Sequence, residues 1–188
     1  MASRGEAPSQ HRLKHAFAMW VAPRTSNVFA QNYQQHLVKM ATFSTVEEFW
    51  RYYSWIIRPS SMTINCDFHL FKDSVRPIWE DEANQKGGKW EIHLRKGVAS
   101  RCFEDVILAV LGDQFRVGDE ICGVVVSIKT HDDMISVWNR SADDKDVIMS
   151  IRDTLKQVLN VPSNAAFEYH AHVSKLAQHQ STKSSSRH

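Results

Sequence analysis

The sequence predicts an α+β fold with a mostly antiparallel sheet, and three observations predict it. Several short segments alternate apolar and polar residues with the period of two that a half-buried strand requires. Three longer segments repeat apolar residues at helical spacing. Strands and helices are interleaved, and the strands alternate instead of running uniformly apolar. Such a sheet packs one face on helices and leaves the other partly open, a natural place for a ligand groove.

The elements follow in order. Phe17–Val21 reads as a strand, ended by Pro23 and a polar loop through Asn32. Tyr33–Met40 fits a second strand less cleanly. Thr45-Val46-Glu47-Glu48 carries the Thr-x-x-Glu pattern of a capping box, so a helix is expected from there to about Ile57, ahead of Pro59. Within it Phe49, Tyr53 and Ile56 share one face, while Val46 and Trp50 form a neighbouring strip. That strip is either part of a wide core face or an exposed ridge for a partner helix. Asp67–Phe71 and Lys89–Arg95 alternate as strands, the latter with Trp90, Ile92 and Leu94 on one side. Asn84-Gln85-Lys86-Gly87-Gly88 reads as the turn between them. A second helix over Ser100–Gly112 buries Phe103, Val106, Ile107, Val110 and Leu111. Ile121–Lys129 and Ile135–Asn139 read as a hairpin across His131-Asp132-Asp133. The third helix, Asp143–Leu159, presents Val147, Ile148, Ile151, Leu155, Val158 and Leu159 inward and is stopped by Asn160 and Pro162. Ala166–His172 is the last strand.

Composition narrows the function. The chain has 188 residues, the size of one domain, and 43% hydrophobic residues, enough for a substantial core. A formal charge of +2 is too small to coat long nucleic acid by charge alone. Cys66, Cys102 and Cys122 are odd in number and lack Cys-x-x-Cys spacing, which argues against zinc-finger and disulfide frameworks and for a reducing setting, cytoplasmic or nuclear, of which the cytoplasm is the expectation. No apolar run approaches membrane-spanning length, and the N-terminus lacks the apolar stretch of a secretory signal. Residues 1–12 and 174–188 are polar and expected to be flexible, flanking one domain over 13–173.

Trp79-Glu80, in the loop-like run Pro77-Ile78-Trp79-Glu80-Asp81-Glu82, is the pair that carries most chemistry. An aromatic ring stacks on a flat base, and a carboxylate accepts from the adjacent N1–H and N2–H₂ donors of guanine. The same residues also fit a solvated acidic loop anchored by a tryptophan. Lys86, Lys89, Arg95, Lys96 and Lys129 supply positive charge nearby; singly, each reads as a solvated side chain. His170 and His172 lie on one face of a strand, without an evident third metal ligand. Glu80-Asp81-Glu82 fits a metal or acid–base cluster only as well as it fits a solvated one. Cys102 sits in an apolar helical pattern, and no P-loop, Gly-x-Gly-x-x-Gly, His-Glu-x-x-His or Gly-x-Ser-x-Gly motif is present. The residues predict neither catalysis, nor a metal, nor a cofactor.

Taken together, Thr45-Val46-Glu47-Glu48-Phe49-Trp50, Phe71-Lys72-Asp73, Pro77–Glu82, Gly87-Gly88-Lys89-Trp90 and Asp119–Val125 resemble the messenger-RNA cap-binding translation initiation factor 4E family. The resemblance covers residues 11–173. Arg95–Cys102, Ser136-Val137-Trp138-Asn139 and Ile151–Leu155 look most like its 4E-homologous-protein branch. It implies a curved, mainly antiparallel eight-stranded sheet with three long helices on the convex face and the cap in the concave face. Trp79 matches one of the aromatics that sandwich 7-methylguanine. Tyr33 matches the other, and Glu80 the carboxylate on the guanine edge. Trp138 matches the aromatic at the methyl group, and Lys129 and Lys89 match basic positions near the phosphates. Met134 stands where the main branch has a further phosphate lysine. Val46 and Trp50 match the docking surface for partners with a Tyr-x-x-x-x-Leu-apolar motif, such as a scaffold initiation factor, 4E-binding proteins or repressors. His11 matches the start of the docking segment, although Arg12 replaces its proline. The resemblance further implies a monomer that meets capped mRNA but no membrane. Its role is regulation or repression of selected messages, with general initiation, or partner binding with a weak cap site, as the alternatives.

Overall fold

A computed structural model describes residues 10–23, 30–62, 65–162 and 165–172. Its strands are β1 (Arg12–Pro23), β2 (Val38–Thr45), β3 (Cys66–Lys72), β4 (Gly88–Leu94), β5 (Ile121–Ile128), β6 (Asp133–Asn139) and β7 (Glu168–Ala171). Its helices are α1 (Val46–Tyr53), a single turn α2 (Glu82–Gln85), α3 (Ala99–Leu111) and α4 (Lys145–Val158). The strands form one sheet in the order β2-β1-β3-β5-β6-β4-β7, and every ladder is antiparallel. The α+β reading and the antiparallel sheet are borne out. The strand count is corrected: among the described residues the sheet has seven strands, not eight. Six of the seven overlap well with the segments whose residue pattern marks strands; β2 (Val38–Thr45) overlaps the expected Tyr33–Met40 strand only at its end. The eighth was implied by resemblance alone.

One face of the sheet carries the main core. Phe17, Met19, Phe68, Leu70, Trp90, Ile92, Val124, Val126, Ile135 and Val137 point to it, against Phe49, Phe103, Ile107, Ile151 and Leu155 of the helices. A second, smaller apolar cluster covers the other face: Phe71, Val75, Cys122, Val125 and Trp138, with Trp79 and Ala83 packed on it. β3 is consequently buried on both faces, so its expected half-exposed alternation is not observed. Gly123 makes the second cluster possible. A Cβ there would lie 2.4 Å from the Phe71 ring, and the β5–β6 register shifts beside it, setting Trp138 opposite Gly123.

Three boundaries differ from expectation for local reasons. Tyr33–Met40 is not one strand: Ala30–Gln35 is a 3-10 turn, closed by the bond from His36 N–H to the Tyr33 carbonyl (3.1 Å), and β2 begins at Val38. α1 ends at Tyr53 instead of near Ile57: beyond Ser54, whose hydroxyl donates back to the Trp50 carbonyl (2.7 Å), the chain leaves the helical ladder for tighter turns, Trp55 N–H on the Tyr52 carbonyl (3.1 Å) and Ile56 N–H on the Tyr53 carbonyl (3.4 Å). The segment before Gly87 is the helical turn α2, capped by the Asp81 carboxylate accepting from Ala83 N–H at 3.0 Å. The other helices start as the sequence indicates. The Thr45 hydroxyl accepts from Glu48 N–H at 3.2 Å, and Asp144 accepts from Val147 N–H at 3.1 Å. Asn160, with φ of 47°, closes the end of α4.

Candidate functional site

The loop between β3 and β4 carries Trp79 and Glu80, and its shape is fixed by two side chains. Asn84, fully buried, donates to the carbonyls of Arg76 (2.9 Å) and Ile78 (2.8 Å). Asp81 accepts from the backbone N–H of Arg76 (3.1 Å) while capping α2. Gln85 adds a bond to the Glu80 carbonyl at 2.9 Å. Of the acidic trio, Asp81 is thus a structural staple, Glu82 is exposed, and Glu80 is half-buried. Among the described residues no hydrogen bond or ion pair engages the Glu80 carboxylate.

Trp79 is half-buried on the small apolar cluster, which also holds Trp138. Trp138 is nearly buried and lies edge-on to Phe71 at 5.5 Å; its indole N–H donates to the Ser136 hydroxyl at 3.3 Å, and its ring is 4.4 Å from that of His172. The Lys89 ammonium sits over Trp138 at 5.8 Å and pairs with Glu91. Trp79, Trp138 and Lys89 therefore share one end of the sheet.

Tyr33 lies over β3. Its hydroxyl donates to the Asp67 carboxylate (3.1 Å) and meets His69 Nε2 at 3.0 Å. Asp67 and His69 are both nearly fully buried. Ring contacts continue from Tyr33 to His69 (6.3 Å), Phe71 (6.3 Å) and Trp138 (5.5 Å), so an aromatic chain crosses this face from Tyr33 to Trp138. Lys129 follows β5 at the opposite end of β6 from Trp138. Its ammonium is 3.8 Å from the Met134 sulfur, and its N–H donates to the buried Asp133 carboxylate at 3.4 Å. Lys96 joins that carboxylate at 2.6 Å; Lys86 and Arg95 are exposed. His170, on β7, lies 3.3 Å from Glu91 and 3.4 Å from Glu168, while His172, one residue past the strand, rests on Trp138, so neither is held as half of a metal pair.

Burial pushes the Cys122 thiol up to about 12, so it is neutral and forms part of the apolar wall. Residue patterns alone missed Asp81, Asn84, Asp67, His69 and Glu91. Glu91 carried a usable signal, since positions two apart on a strand share a face and Glu91 is two from Lys89.

On the opposite face, α1 presents Val46 and Trp50, 37% and 38% exposed, while Phe49 and Tyr53 are buried. Trp50 leans edge-on against Phe49 at 4.9 Å, which holds the exposed indole in place. His11 reaches the same helix: its carbonyl accepts from Val46 N–H at 2.9 Å, and its ring meets Glu47 at 2.7 Å. The Glu47 carboxyl is held below its ordinary range, chiefly by that bond from His11. Arg12 in place of proline does not keep His11 from α1.

Known proteins resemble this chain over most of its length. The family model described as eukaryotic initiation factor 4E matches residues 12–187. The chain is 42% identical over 171 residues to the eukaryotic translation initiation factor NCBP of Oryza sativa subsp. japonica, spanning 91% of this chain and 75% of that protein. It is 42% identical over 163 residues to the eukaryotic translation initiation factor 4E-4 of Caenorhabditis elegans, spanning 86% and 77%. Among solved structures, C. elegans eIF4E-3 in complex with the 4E-binding protein Mextli and a cap analog superposes with a TM-score of 0.84 at 31% identity, covering 90% of this chain and 96% of that one. The resemblance read from the motifs is borne out, and the chain belongs to the eukaryotic initiation factor 4E family.

Proposed function

We propose that this protein binds the 7-methylguanosine cap of mRNA, without catalysis, and regulates translation initiation through helical partner proteins. The observation that carries the reading is the gathering of Trp79, Trp138 and Lys89 at one end of the sheet, beside a Glu80 carboxylate on a rigid loop. Methylation at N7 makes guanine cationic and leaves it flat. Trp79 stacks on one face of the base and Tyr33 on the other. Stacking contributes roughly 1–3 kcal/mol per base, and cation–π attraction on the order of 0.5–2 kcal/mol. Glu80 accepts from N1–H and N2–H₂ and attracts the positive base, so the charge-assisted bonds and the stacking reinforce each other. Trp138 meets the methyl group, and Lys89 and Lys129 meet the phosphates.

On the back, His11, Val46 and Trp50 receive a partner helix of the Tyr-x-x-x-x-Leu-apolar type. The side-by-side exposure of Val46 and Trp50 supports this, since an exposed indole in a fixed rotamer is a low-entropy anchor. We place the protein in the cytoplasm, where capped messages are translated, with residues 13–173 as the cap-binding domain.

Titration with 7-methyl-GTP and GTP, read by tryptophan fluorescence quenching, tests the proposal. Tighter binding of 7-methyl-GTP is expected, and equal affinity would reject it. A second reading makes the protein chiefly a carrier of partners with a weak cap site. Met134, standing where the main branch has a lysine, and Glu91 against Lys89 favour it, because one cation is absent and another is paired with a carboxylate. Affinity for a Tyr-x-x-x-x-Leu peptide measured beside cap affinity separates the two.

A further inference from the structure

Lys89 and Glu91 lie two apart on β4 and point to the same face, with side chains only 13% and 12% exposed. β7 pairs with β4 so that His170 stands opposite Lys89 and Glu168 opposite Glu91. Glu91 and Glu168 are therefore like charges directly across a ladder, an arrangement that costs stability unless cations lie between them. Lys89 is such a cation for Glu91, and the His170 ring bridges the two carboxylates. One Glu91 oxygen takes the Lys89 ammonium, and the other takes His170 Nε2 at 3.3 Å; His170 also reaches Glu168 at 3.4 Å. Glu91 is thus pinned from both sides, in a site dry enough for the pair to be screened little.

We infer that Glu91 is a specificity-determining residue: an internal carboxylate that occupies Lys89 and competes there with the phosphates of a bound cap. The inference rests on the cap-binding reading above. A phosphate oxygen that reaches Lys89 meets an ammonium already paired with Glu91, and the carboxylates of Glu91 and Glu168 beside it repel the incoming phosphate. Binding then depends mainly on the methylated base and gains little from added phosphates. A ligand that carries the base with few accessible phosphates loses less here than it would at an unoccupied lysine.

The test is the ratio of affinities for 7-methyl-GTP and 7-methylguanosine, the second of which has no phosphate, in the full chain. Glu91→Gln keeps the shape and removes the charge. It is expected to raise 7-methyl-GTP affinity about tenfold and leave 7-methylguanosine affinity where it was. Replacing Lys89 as well (Lys89→Gln in the Glu91→Gln background) is expected to cancel the gain. Thermal unfolding checks that each variant is folded. Glu91→Leu, which removes the carboxylate altogether, is a second route to the same gain. An unchanged ratio in both folded variants, or a gain that survives the loss of Lys89, overturns the inference. If the unaltered protein does not prefer 7-methylguanosine to guanosine, the cap-binding reading itself falls, a result distinct from an unchanged ratio.

Discussion

Tyr33 is gripped at the end of its side chain rather than along its ring. Its hydroxyl bonds to Asp67 and His69, two nearly buried groups on one face of β3, and that grip sets the angle at which the ring stands over the sheet. Tyr33→Phe keeps the stacking surface and removes the grip. A single hydrogen bond contributes about 0.5–1.5 kcal/mol, so cap affinity is expected to fall about three- to tenfold, by fluorescence titration, with the preference for the methylated base retained. Tyr33→Ala removes the wall as well, and both affinity and preference are expected to drop. Glu80 poses the opposite case. Its carboxylate engages no described neighbour, so removing it takes nothing from the fold. Glu80→Ala is expected to abolish most cap binding while the melting temperature stays unchanged; a folded variant that binds normally removes Glu80 from the edge-reading role. The contrast explains which residue roles were legible in the sequence. Trp79 and Glu80 are adjacent, so residue type alone offers a stacking ring beside a base-edge carboxylate, although it equally offers a solvated acidic loop. The Tyr33 grip joins residues 34 and 36 positions apart, and Asp67 and His69 look like ordinary alternating strand residues until the fold brings Tyr33 over them.

At the level of elements, the partner face depends on how α1 begins. Glu48 reaches back to the Ser44 backbone N–H at 2.8 Å, and Glu47 holds the His11 ring. Both carboxyls titrate below their ordinary value of 4.5, Glu48 chiefly because the Ser44 N–H bonds its charged form, Glu47 chiefly because of His11. A carboxyl depressed in the folded state binds its proton more weakly there than in the unfolded chain. Its contribution is therefore complete above the ordinary value and is lost as pH falls through and below 4.5. Acidification is thus expected to loosen the start of α1 and weaken Tyr-x-x-x-x-Leu peptide binding. Glu48→Gln is expected to flatten that acid dependence, followed by amide exchange of residues 46–50. The Thr-x-x-Glu pattern made this start readable, because capping is local. The end of α1 was not readable: the chain tightens into i−3 turns at Trp55 and Ile56, an outcome that helix propensity alone does not separate from four further residues of helix. The loop before β4 failed for a similar reason. Asp81 and Asn84 look like turn residues, and only burial reveals Asn84 as the bolt that holds the Arg76 and Ile78 carbonyls.

Across the whole molecule, two apolar layers of unequal size share one sheet. The helix-side layer was legible because its residues recur at regular spacing: Phe103, Val106, Ile107, Val110 and Leu111 are all buried as the α3 pattern requires. The smaller layer was not, because Phe71, Val75, Cys122, Val125 and Trp138 come from three strands and a loop and meet only through the ladders β3–β5 and β5–β6. The same non-local pairing hid Glu168 opposite Glu91. Since Trp79 belongs to the smaller layer, a base stacked on it extends that layer, and the free energy of binding is added to the free energy of folding. A ligand that binds only the native state at 100 times its Kd stabilises it by about 2.7 kcal/mol. For a chain of this length each kcal/mol raises the melting temperature by about 2–4 °C. Saturating 7-methyl-GTP is therefore expected to raise Tm by about 5–10 °C. GTP at the same concentration lacks the cation–π share and is expected to raise it by distinctly less. Trp50→Ala, on the far side of the sheet, is expected to leave the nucleotide-induced shift intact while abolishing the shift caused by a Tyr-x-x-x-x-Leu peptide. If Trp50→Ala instead removes the nucleotide shift, the two faces are coupled through β3, and the sheet is not the rigid partition that its two layers describe.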